Sequence, residues 1–343
     1  YLNIKPANIY PFASDNIKED IQIIQTLIDK NFTYKTSDGL YFDTSKDETY
    51  GKLGQVSTGD EHSRIGLNSE KKSLRDFALW KFNEELGYEA PFGNGFPGWH
   101  IECSAMSMKY LGEHFDIHTG GIDHIPIHHN NEIAQSENAT GRTFVNYWLH
   151  NAHLNISGDK MAKSSGDFTR LIDLIKEGYA PIAYRLLLLQ SHYGKPMNFS
   201  YDALSASQEA LYGIYRTLSG FESGDAPSDE FVNKFEESIN DDLNTPKAIA
   251  TLFELLKSDL SGEVKLATAL KFDEVLGLEI KEGISLLKKD AEEIPEEVKE
   301  LAEAREDSRK SKDFAKADKL RQKISELGYE IKDSENGPDL VKK

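Results

Sequence analysis

Cys103, His128 and Glu132 are three residues whose types and spacing could hold a metal ion, and Cys103 is the only cysteine of the chain. His128 and Glu132 are four residues apart, a spacing that places both side chains on one face of a helix. Zinc accepts thiolate, imidazole and carboxylate ligands, so the three residues could share one ion. Two alternatives stay open here. Cys103 could be a small buried apolar side chain with His128 capping a helix, or a nucleophile, although no specific base or oxyanion pattern accompanies it.

The stretch FDIHTGGID, residues 115–123, predicts a buried strand that ends in a glycine turn. Ligands of α/β proteins bind at the carboxyl ends of parallel strands, so Asp123 could bind a ribose or an amine there. The alternative interpretation of Asp123 is an ordinary turn residue. Trp99 and His118 could form a polar and aromatic wall.

The loop GDKMAKSSGDF, residues 158–168, carries Lys160 and Lys163 among glycine and serine residues. Two lysine amines can neutralise phosphate oxygens as negative charge builds on a leaving pyrophosphate. A solvated surface loop would have the same composition, and the spacing of two lysines alone does not separate the two interpretations.

The elements that must position these residues alternate between helix and strand. Helical periodicity begins after Asn16, and Ser37-Asp38-Gly39 between two aromatic-rich segments predicts a hairpin. Further along, IECSAMSMKYLGEHF predicts a helix, HHNNEIAQSENAT predicts a second helix that Gly141 stops, and FVNYWLHNAHLNI predicts a strand. Strands that alternate with helices predict an α/β fold with a parallel, doubly wound sheet.

After Gly158 the chain becomes helical. Apolar residues recur at helical spacing in FTRLIDLIKEG, APIAYRLLLLQS, YDALSASQEALYGIYRTL and near residues 228–240, 245–258 and 263–276. The charged region from Ile294 predicts two amphipathic helices and a terminal hairpin or strand. Residues 1–15, which include Pro6 and Pro11, predict loop and a short strand.

Length, charge and cysteine content narrow the class of protein. A chain of 343 residues predicts two or more domains. The net charge of −18 argues against broad, non-specific nucleic-acid binding, although a local basic patch could still dock a structured RNA. A single cysteine excludes an intrachain disulfide and suits a reducing compartment. No apolar run is long enough to span a membrane, so we expect a cytoplasmic protein with no membrane partner.

These segments together resemble the cysteinyl-tRNA synthetases, a family of class I aminoacyl-tRNA synthetases. The resemblance follows the family's order and spacing over essentially the whole chain, and its most specific part surrounds the candidate metal ligands. The segments that carry it are FPGWHIECSAM, FDIHTGGIDHIPIHHNNEIAQS, NYWLH and KMAKSSGDF in the core, YFDTSKDETYGKLG and SLRDFALWK in a connective domain, DDLNTPKAI in a helical bundle, and DFAKADKLRQKISELGYEIKDS in a C-terminal region.

The resemblance implies a partial class I Rossmann-type catalytic core with an inserted connective domain, an α-helical bundle and a small C-terminal domain. It divides the chain into the end of the first Rossmann half (1–15), the connective insertion (16–95), the second Rossmann half with the zinc site (96–157), the KMSKS-type loop and stem-contact region (158–204), the tRNA-binding helical bundle (205–285) and the anticodon-region domain (286–343).

The resemblance also implies that Cys103, His128 and Glu132 are three of four protein ligands of one zinc ion. In the family this zinc binds the substrate thiolate directly. A thiolate on zinc separates cysteine from serine better than the shape of a pocket can, because the two amino acids differ by one atom. Trp99 and His118 would line the amino-acid pocket.

For ATP, the resemblance implies that Lys160 and Lys163 of KMAKS act in catalysis, with Lys163 contacting ATP and Asp123 lying near the bound adenylate. Ala162 replaces a serine that carries no charge, so we expect little loss. The implied reaction is activation of L-cysteine by ATP, with Mg²⁺, to cysteinyl-adenylate, followed by transfer to cysteine tRNA. A monomer is expected.

The family's HIGH motif and its fourth zinc-ligand cysteine belong to a segment that would precede Tyr1, so these 343 residues alone are expected to be inactive. Two other functions remain alternatives. One is a non-catalytic tRNA-binding or regulatory paralogue. The other is a cysteine ligase of the mycothiol-pathway type, which would lack a full anticodon-binding region.

Overall fold

The computed structural model describes residues 1–54, 69–156, 159–160, 170–222, 224, 226–292, 294–334 and 337–342. The chain divides into two compact units. The sheet unit comprises Lys5–Asp167 and Tyr193–Phe199, and the helical unit comprises Tyr1–Ile4, Phe168–His192 and Ser200–Lys343. The candidate metal ligands belong to the sheet unit.

The sheet unit begins with a helix and an antiparallel sheet of strand order β1-β2-β3-β4. These elements are α1 (Ile17–Asp29), β1 (Thr33–Thr36), β2 (Gly39–Phe42), β3 (Phe77–Phe82) and β4 (Gly95–Pro97). The apolar face of α1 buries Ile24 and Leu27 against the sheet, where Trp80 is also fully buried. Gly39 is required where β2 meets β3, since a Cβ there would lie 2.4 Å from the carbonyl oxygen of Trp80. The predicted helix and hairpin are confirmed.

A pair of parallel strands follows. In sequence, one helix precedes the first of these strands and another helix follows it. The elements are α2 (Trp99–Leu111), β5 (Phe115–Gly121), a π-helical turn (Ile125–His129), α3 (Asn130–Thr140) and β6 (Val145–Asn151). β5 and β6 pair in register from Phe115 opposite Val145 to Gly121 opposite Asn151. α3 ends at Gly141, whose φ of 76° is a left-handed conformation that glycine adopts without strain. The predicted α/β architecture is confirmed in this part of the chain.

The predicted single strand FVNYWLHNAHLNI is two strands in two sheets. After β6 the chain leaves the parallel pair at Ala152, whose N–H donates to the carbonyl oxygen of Tyr193 at 2.8 Å. A three-stranded sheet of order β8-β7-β9 follows. Its strands are β7 (Leu154–Ile156), β8 (Asp159–Lys160) and β9 (Met197–Phe199). Hydrophobic pattern alone could not show this change of partner, because both halves of the segment are extended.

The helical unit consists of nine described helices and a terminal antiparallel hairpin. They are α4 (Leu171–Lys176), α5 (Pro181–Leu189), α6 (Tyr201–Ser219), α7 (Asp229–Asn240), α8 (Thr245–Lys257), α9 (Gly262–Leu276), α10 (Ile280–Glu292), α11 (Glu296–Lys310), α12 (Phe314–Glu326), β10 (Tyr329–Ser334) and β11 (Gly337–Lys342). The predicted helices and the hairpin are confirmed. No described helix is long and apolar enough to cross a membrane.

Two further features of the secondary structure differ from what the sequence predicted. Helix α10 was not predicted, and its central Gly283 has low helix propensity. The glycine is needed there because a Cβ would lie 2.2 Å from the ring of Tyr215. Residues 1–15 contain no strand, only a 3-10 turn at Ala13–Asp15. Pro6 and Pro11 lack the N–H groups that a sheet ladder uses.

Candidate metal centre and amino-acid pocket

Three elements of the sheet unit bring the candidate metal ligands together. Cys103 lies in the second turn of α2, His128 in the π-helical turn before α3, and Glu132 in the first turn of α3. One ligand atom from each residue lies within 4.8 Å of the others. The thiol, the imidazole and the carboxylate can therefore reach one shared ion.

Glu132 is a fully buried carboxylate. Its Oε1 lies 3.0 Å from Nε2 of His128 and 3.5 Å from Nε2 of His118, and its Oε2 accepts no hydrogen bond from the described residues. Burial alone would raise the pKa of Glu132, but hydrogen bonding to His118 and His128 outweighs it and lowers the pKa to about 2. A buried carboxylate that stays ionised requires a positive partner, which a metal ion would supply.

Cys103 is half-buried and has no disulfide partner. Burial, together with the nearby carboxylates of Glu132, Glu102 and Asp20, raises the pKa of its thiol to about 12. The thiol is therefore protonated in the metal-free chain, which is the opposite of what a nucleophilic cysteine needs. A metal ion would displace the proton, because a metal-bound thiol is deprotonated.

A second group of possible ligands shares the same carboxylate. His118, His129 and Glu132 also place ligand atoms within 4.8 Å of one another. Burial lowers the pKa of His129 to about 3, so its imidazole is neutral, and its Nδ1 lies 2.7 Å from Nε2 of His150. Neither His129 nor His150 was predicted from the sequence as a site residue. The spacing of three residues between His129 and Glu132 was the available signal for His129.

Trp99 and His118 border the candidate metal centre from different elements. Trp99, the first residue of α2, has a largely exposed indole whose ring centre is 4.2 Å from that of His128. His118 of β5 packs its ring 4.8 Å from that of Trp148. Both side chains therefore adjoin candidate metal ligands, and their part in an amino-acid pocket stays a prediction.

Two glycines at the end of β5 allow the turns that follow the strand to pack closely against it. A Cβ on Gly120 would lie 2.6 Å from His124 Nδ1 and 2.6 Å from His129 Cε1, and one on Gly121 would lie 2.4 Å from Asp123 Oδ1. Asp123 itself is exposed in the 3-10 turn that follows the strand. It therefore lies at the carboxyl end of a parallel strand, the edge at which α/β proteins bind ligands.

The structure places only part of the lysine loop. The backbone of Lys160 belongs to β8, opposite Asn155 of β7. Lys163 lies outside the described residues.

The donor set that contains Cys103 fits zinc. A thiolate, an imidazole and a carboxylate are all zinc ligands, and the sulfur distinguishes this set from those of hard cations such as Mg²⁺. Glu132 Oε2, which lacks a donor among the described residues, leaves a carboxylate oxygen available to a cation.

Three known protein-family models match successive parts of the chain. Residues 1–209 match the family described as "tRNA synthetases class I (C) catalytic domain". Residues 234–258 match the DALR domain, and residues 291–337 match the "Cysteinyl-tRNA ligase anticodon binding domain". The three matches follow one another in the order that the motifs predicted.

Curated relatives are similar over almost all of the chain. It is 42% identical over 347 residues to "Cysteine--tRNA ligase 1" of Burkholderia lata, covering 99% of this chain and 73% of that protein. It is 40% identical over 358 residues to "Cysteine--tRNA ligase" of Caldicellulosiruptor saccharolyticus, covering 98% of this chain and 77% of that protein.

Among solved structures, the chain is similar to Mycobacterium tuberculosis methionyl-tRNA synthetase in complex with methionyl-adenylate, with a TM-score of 0.54 and 13% identity. The similarity covers 82% of this chain and 77% of that one. This similarity concerns the fold alone. The family match over residues 1–209 identifies the class of protein, a class I aminoacyl-tRNA synthetase. Within that class, the chain belongs to the cysteine--tRNA ligase family. The resemblance inferred from the motifs is confirmed.

Proposed function

We propose that this protein is an ATP-dependent cysteine–tRNA ligase. In the first step, a carboxylate oxygen of L-cysteine bonds to the α-phosphorus of ATP as the bond to pyrophosphate breaks. In the second, the cysteinyl group passes from AMP to a terminal ribose hydroxyl of cysteine tRNA. The ligases of this family depend on ATP and Mg²⁺, and the catalytic and anticodon-binding matches support both steps.

The observation that carries the proposal is the grouping of Cys103, His128 and Glu132 around one point. We assign these residues to one zinc ion, because sulfur and nitrogen ligands together favour zinc. Bound zinc would accept the thiolate of cysteine far more readily than the hydroxyl of serine. The chain contributes an ionised Glu132, whose pKa is lowered to about 2, so the ligand needs no deprotonation at neutral pH.

Other side chains are assigned to the remaining parts of the substrates. We assign Trp99 and His118 to the wall of the amino-acid pocket, because both adjoin the metal ligands. Asp123, at the carboxyl end of β5, is assigned to the adenylate. Lys160 and Lys163 are assigned to the phosphates of ATP, where their amines would offset the charge of the departing pyrophosphate.

The helical bundle (205–285) and the anticodon-region domain (286–343) are assigned to tRNA. Residues 16–95 are assigned to the connective insertion. The matches to residues 234–258 and 291–337 support the bundle and the anticodon-region domain. The second of these matches also counts against the mycothiol-pathway alternative, which has no need of an anticodon-binding region. A cytoplasmic monomer remains part of the proposal.

The test is cysteine-dependent exchange of pyrophosphate into ATP by the natural gene product, loaded with zinc and with its N-terminus confirmed by intact mass. Exchange is expected with cysteine and not with serine. Cys103→Ala and His128→Ala should lose zinc and exchange together. The control is His114→Ala, which removes an exposed imidazole bonded to the carbonyl oxygen of Thr143. Wild-type zinc content and exchange in Cys103→Ala would overturn the proposed site.

A further inference from the structure

Three buried polar side chains join α2 to α3 behind the candidate metal centre. Ser104, Gln135 and Ser136 are all fully buried. The amide of Gln135 donates to Ser104 Oγ at 2.6 Å and to the carbonyl oxygen of His100 at 2.5 Å, and Ser136 Oγ donates to Ser104 Oγ at 2.9 Å. These hydrogen bonds cross from one helix to the other.

This hydrogen-bond network differs from ordinary helix packing because it lies close in sequence to two of the candidate metal ligands. Ser104 directly follows Cys103, and Gln135 lies one helical turn after Glu132. Helix α2, which supplies the sulfur, is thus hydrogen-bonded to helix α3, which supplies the carboxylate. The bond joins Ser104, beside Cys103, to Gln135, one turn after Glu132. Because the carbonyl of His100 can only accept, it specifies which end of the Gln135 amide faces α2.

Polar side chains are a costly way to pack two helices. A buried hydroxyl or amide costs free energy unless it is hydrogen-bonded, whereas apolar side chains of similar size pack without this requirement. What hydrogen bonds add is direction, because they fail if one helix slides or rotates against the other. The network therefore holds α2 and α3 in one register, and that register determines the separation of Cys103 from Glu132.

A second contact extends the network to the imidazole ligand. His100 Nδ1 lies 2.8 Å from Nδ1 of His128. This contact occupies one ring nitrogen of His128 and leaves Nε2 facing Glu132 Oε1 at 3.0 Å. Gln135, by bonding to the backbone of His100, fixes the residue that orients His128.

We propose that Gln135 and Ser104 are positioning residues for the zinc centre. Neither is a ligand; together they set the register of α2 on α3 so that Cys103, His128 and Glu132 converge on one ion. The inference rests on the zinc site of the proposed function. It adds two residues that act on zinc affinity through the geometry of the ligands.

The experiment compares zinc affinity in the full chain and in two variants, Gln135→Met and Ser104→Ala. Gln135→Met removes both donated bonds and keeps the length of the side chain, and Ser104→Ala removes one oxygen. Partners that orient metal ligands typically contribute a factor of roughly 10–100 in metal affinity, and we expect a loss of that size by competition with a chromophoric chelator. In Co²⁺-substituted protein, the sulfur-to-cobalt charge-transfer band should weaken or shift.

The matched control is Ser207→Ala in the helical unit. Ser207 is also a buried serine, and its hydroxyl donates to Oε1 of Gln190 at 3.0 Å. Ser207→Ala should lower the melting temperature of the metal-free chain about as much as Ser104→Ala does. Its zinc affinity and cobalt spectrum should stay as in the wild type. A role for Gln135 and Ser104 in stability alone would give this same pattern in their variants.

The outcomes separate the inference from the proposal beneath it. Wild-type zinc affinity in Cys103→Ala would remove the zinc site and the inference with it. Loss of zinc in Cys103→Ala, with wild-type affinity and cobalt spectrum in Ser104→Ala and Gln135→Met, would overturn the inference alone. If Gln135→Met does not fold, Ser104→Ala decides the result, because a serine-to-alanine change leaves only a small void.

Discussion

His118 of β5 and Glu132 of α3 meet at 3.5 Å between Nε2 and Oε1. The same oxygen lies 3.0 Å from Nε2 of His128, so two imidazoles face one buried carboxylate. One imidazole comes from the parallel strand and the other from the turn before the helix. The strand therefore contributes directly to the orientation of a candidate ligand.

The first prediction concerns His118. His118→Phe keeps an aromatic ring but removes the nitrogen that faces Glu132. We expect cysteine-dependent exchange to fall roughly 10–100-fold, the usual effect of losing an outer partner of a metal ligand, with most of the zinc retained. The measurements are kcat/KM for cysteine and zinc content. His114→Phe, at an exposed site just before β5, should match the wild type. An unchanged kcat/KM in His118→Phe would contradict the assignment.

The second prediction concerns the charge of Glu132. Glu132→Gln keeps the size of the side chain and removes the anion, and a neutral amide is a poor zinc ligand. Zinc affinity should fall by more than roughly 100-fold, beyond the effect of an outer partner. The rise in melting temperature on adding zinc should also shrink, since a ligand stabilises the folded state by a free energy that increases with the logarithm of its affinity.

Glu137→Gln is the control for this change. It lies on the same helix and pairs with Lys52 away from the candidate ligands. Its zinc titration should superimpose on that of the wild type. If Glu132→Gln bound zinc as tightly as Glu137→Gln does, the ion would not be held by Glu132.

The third prediction concerns the lysine loop. Lys160→Ala and Lys163→Ala should each lower kcat for pyrophosphate exchange on the order of 100-fold or more. Each change removes a positive charge that would stabilise the negative charge developing on the departing pyrophosphate. Zinc content should not change, since neither lysine belongs to the metal donor set. Lys176→Ala, an exposed lysine of α4, is the control. A variant that lost zinc together with exchange would show that the loop acts through folding of the centre.

The sequence predicts local features of the site better than its tertiary contacts. The proximity of the His128 and Glu132 side chains follows from their separation by four residues in a helical segment, and the structure shows this contact. The placement of Cys103 beside them depends on packing between α2 and α3, so spacing left its role open and the family motif supplied it. His129 and His150 were missed because their contact joins a helical turn to a strand. The same limit explains the division of the strand at Ala152, where a distant carbonyl takes the N–H.

Asp20 in α1 gives stability a pH dependence of unusual sign for an aspartate. It is buried, and neither of its carboxylate oxygens finds a hydrogen-bond partner among the described residues. Burial, together with the nearby carboxylates of Glu102 and Glu19, raises its pKa to about 7. The folded chain therefore keeps a proton that the unfolded chain releases near pH 3.8. This stabilisation is complete below the unfolded pKa and is lost as the pH rises through about 7.

The fourth prediction follows from this sign. Asp20→Asn removes the titration, so its free energy of unfolding should fall less with rising pH than that of the wild type. Between about pH 4 and pH 8 the difference between the two should change by on the order of 4 kcal/mol in favour of the variant. Urea unfolding of the metal-free protein measures it, with the exposed Asp15→Asn as a control that follows the wild type. Parallel pH profiles for Asp20→Asn and the wild type would mean that Asp20 is ionised in the folded chain at neutral pH. A cationic partner would then have to offset the cost of burying this carboxylate.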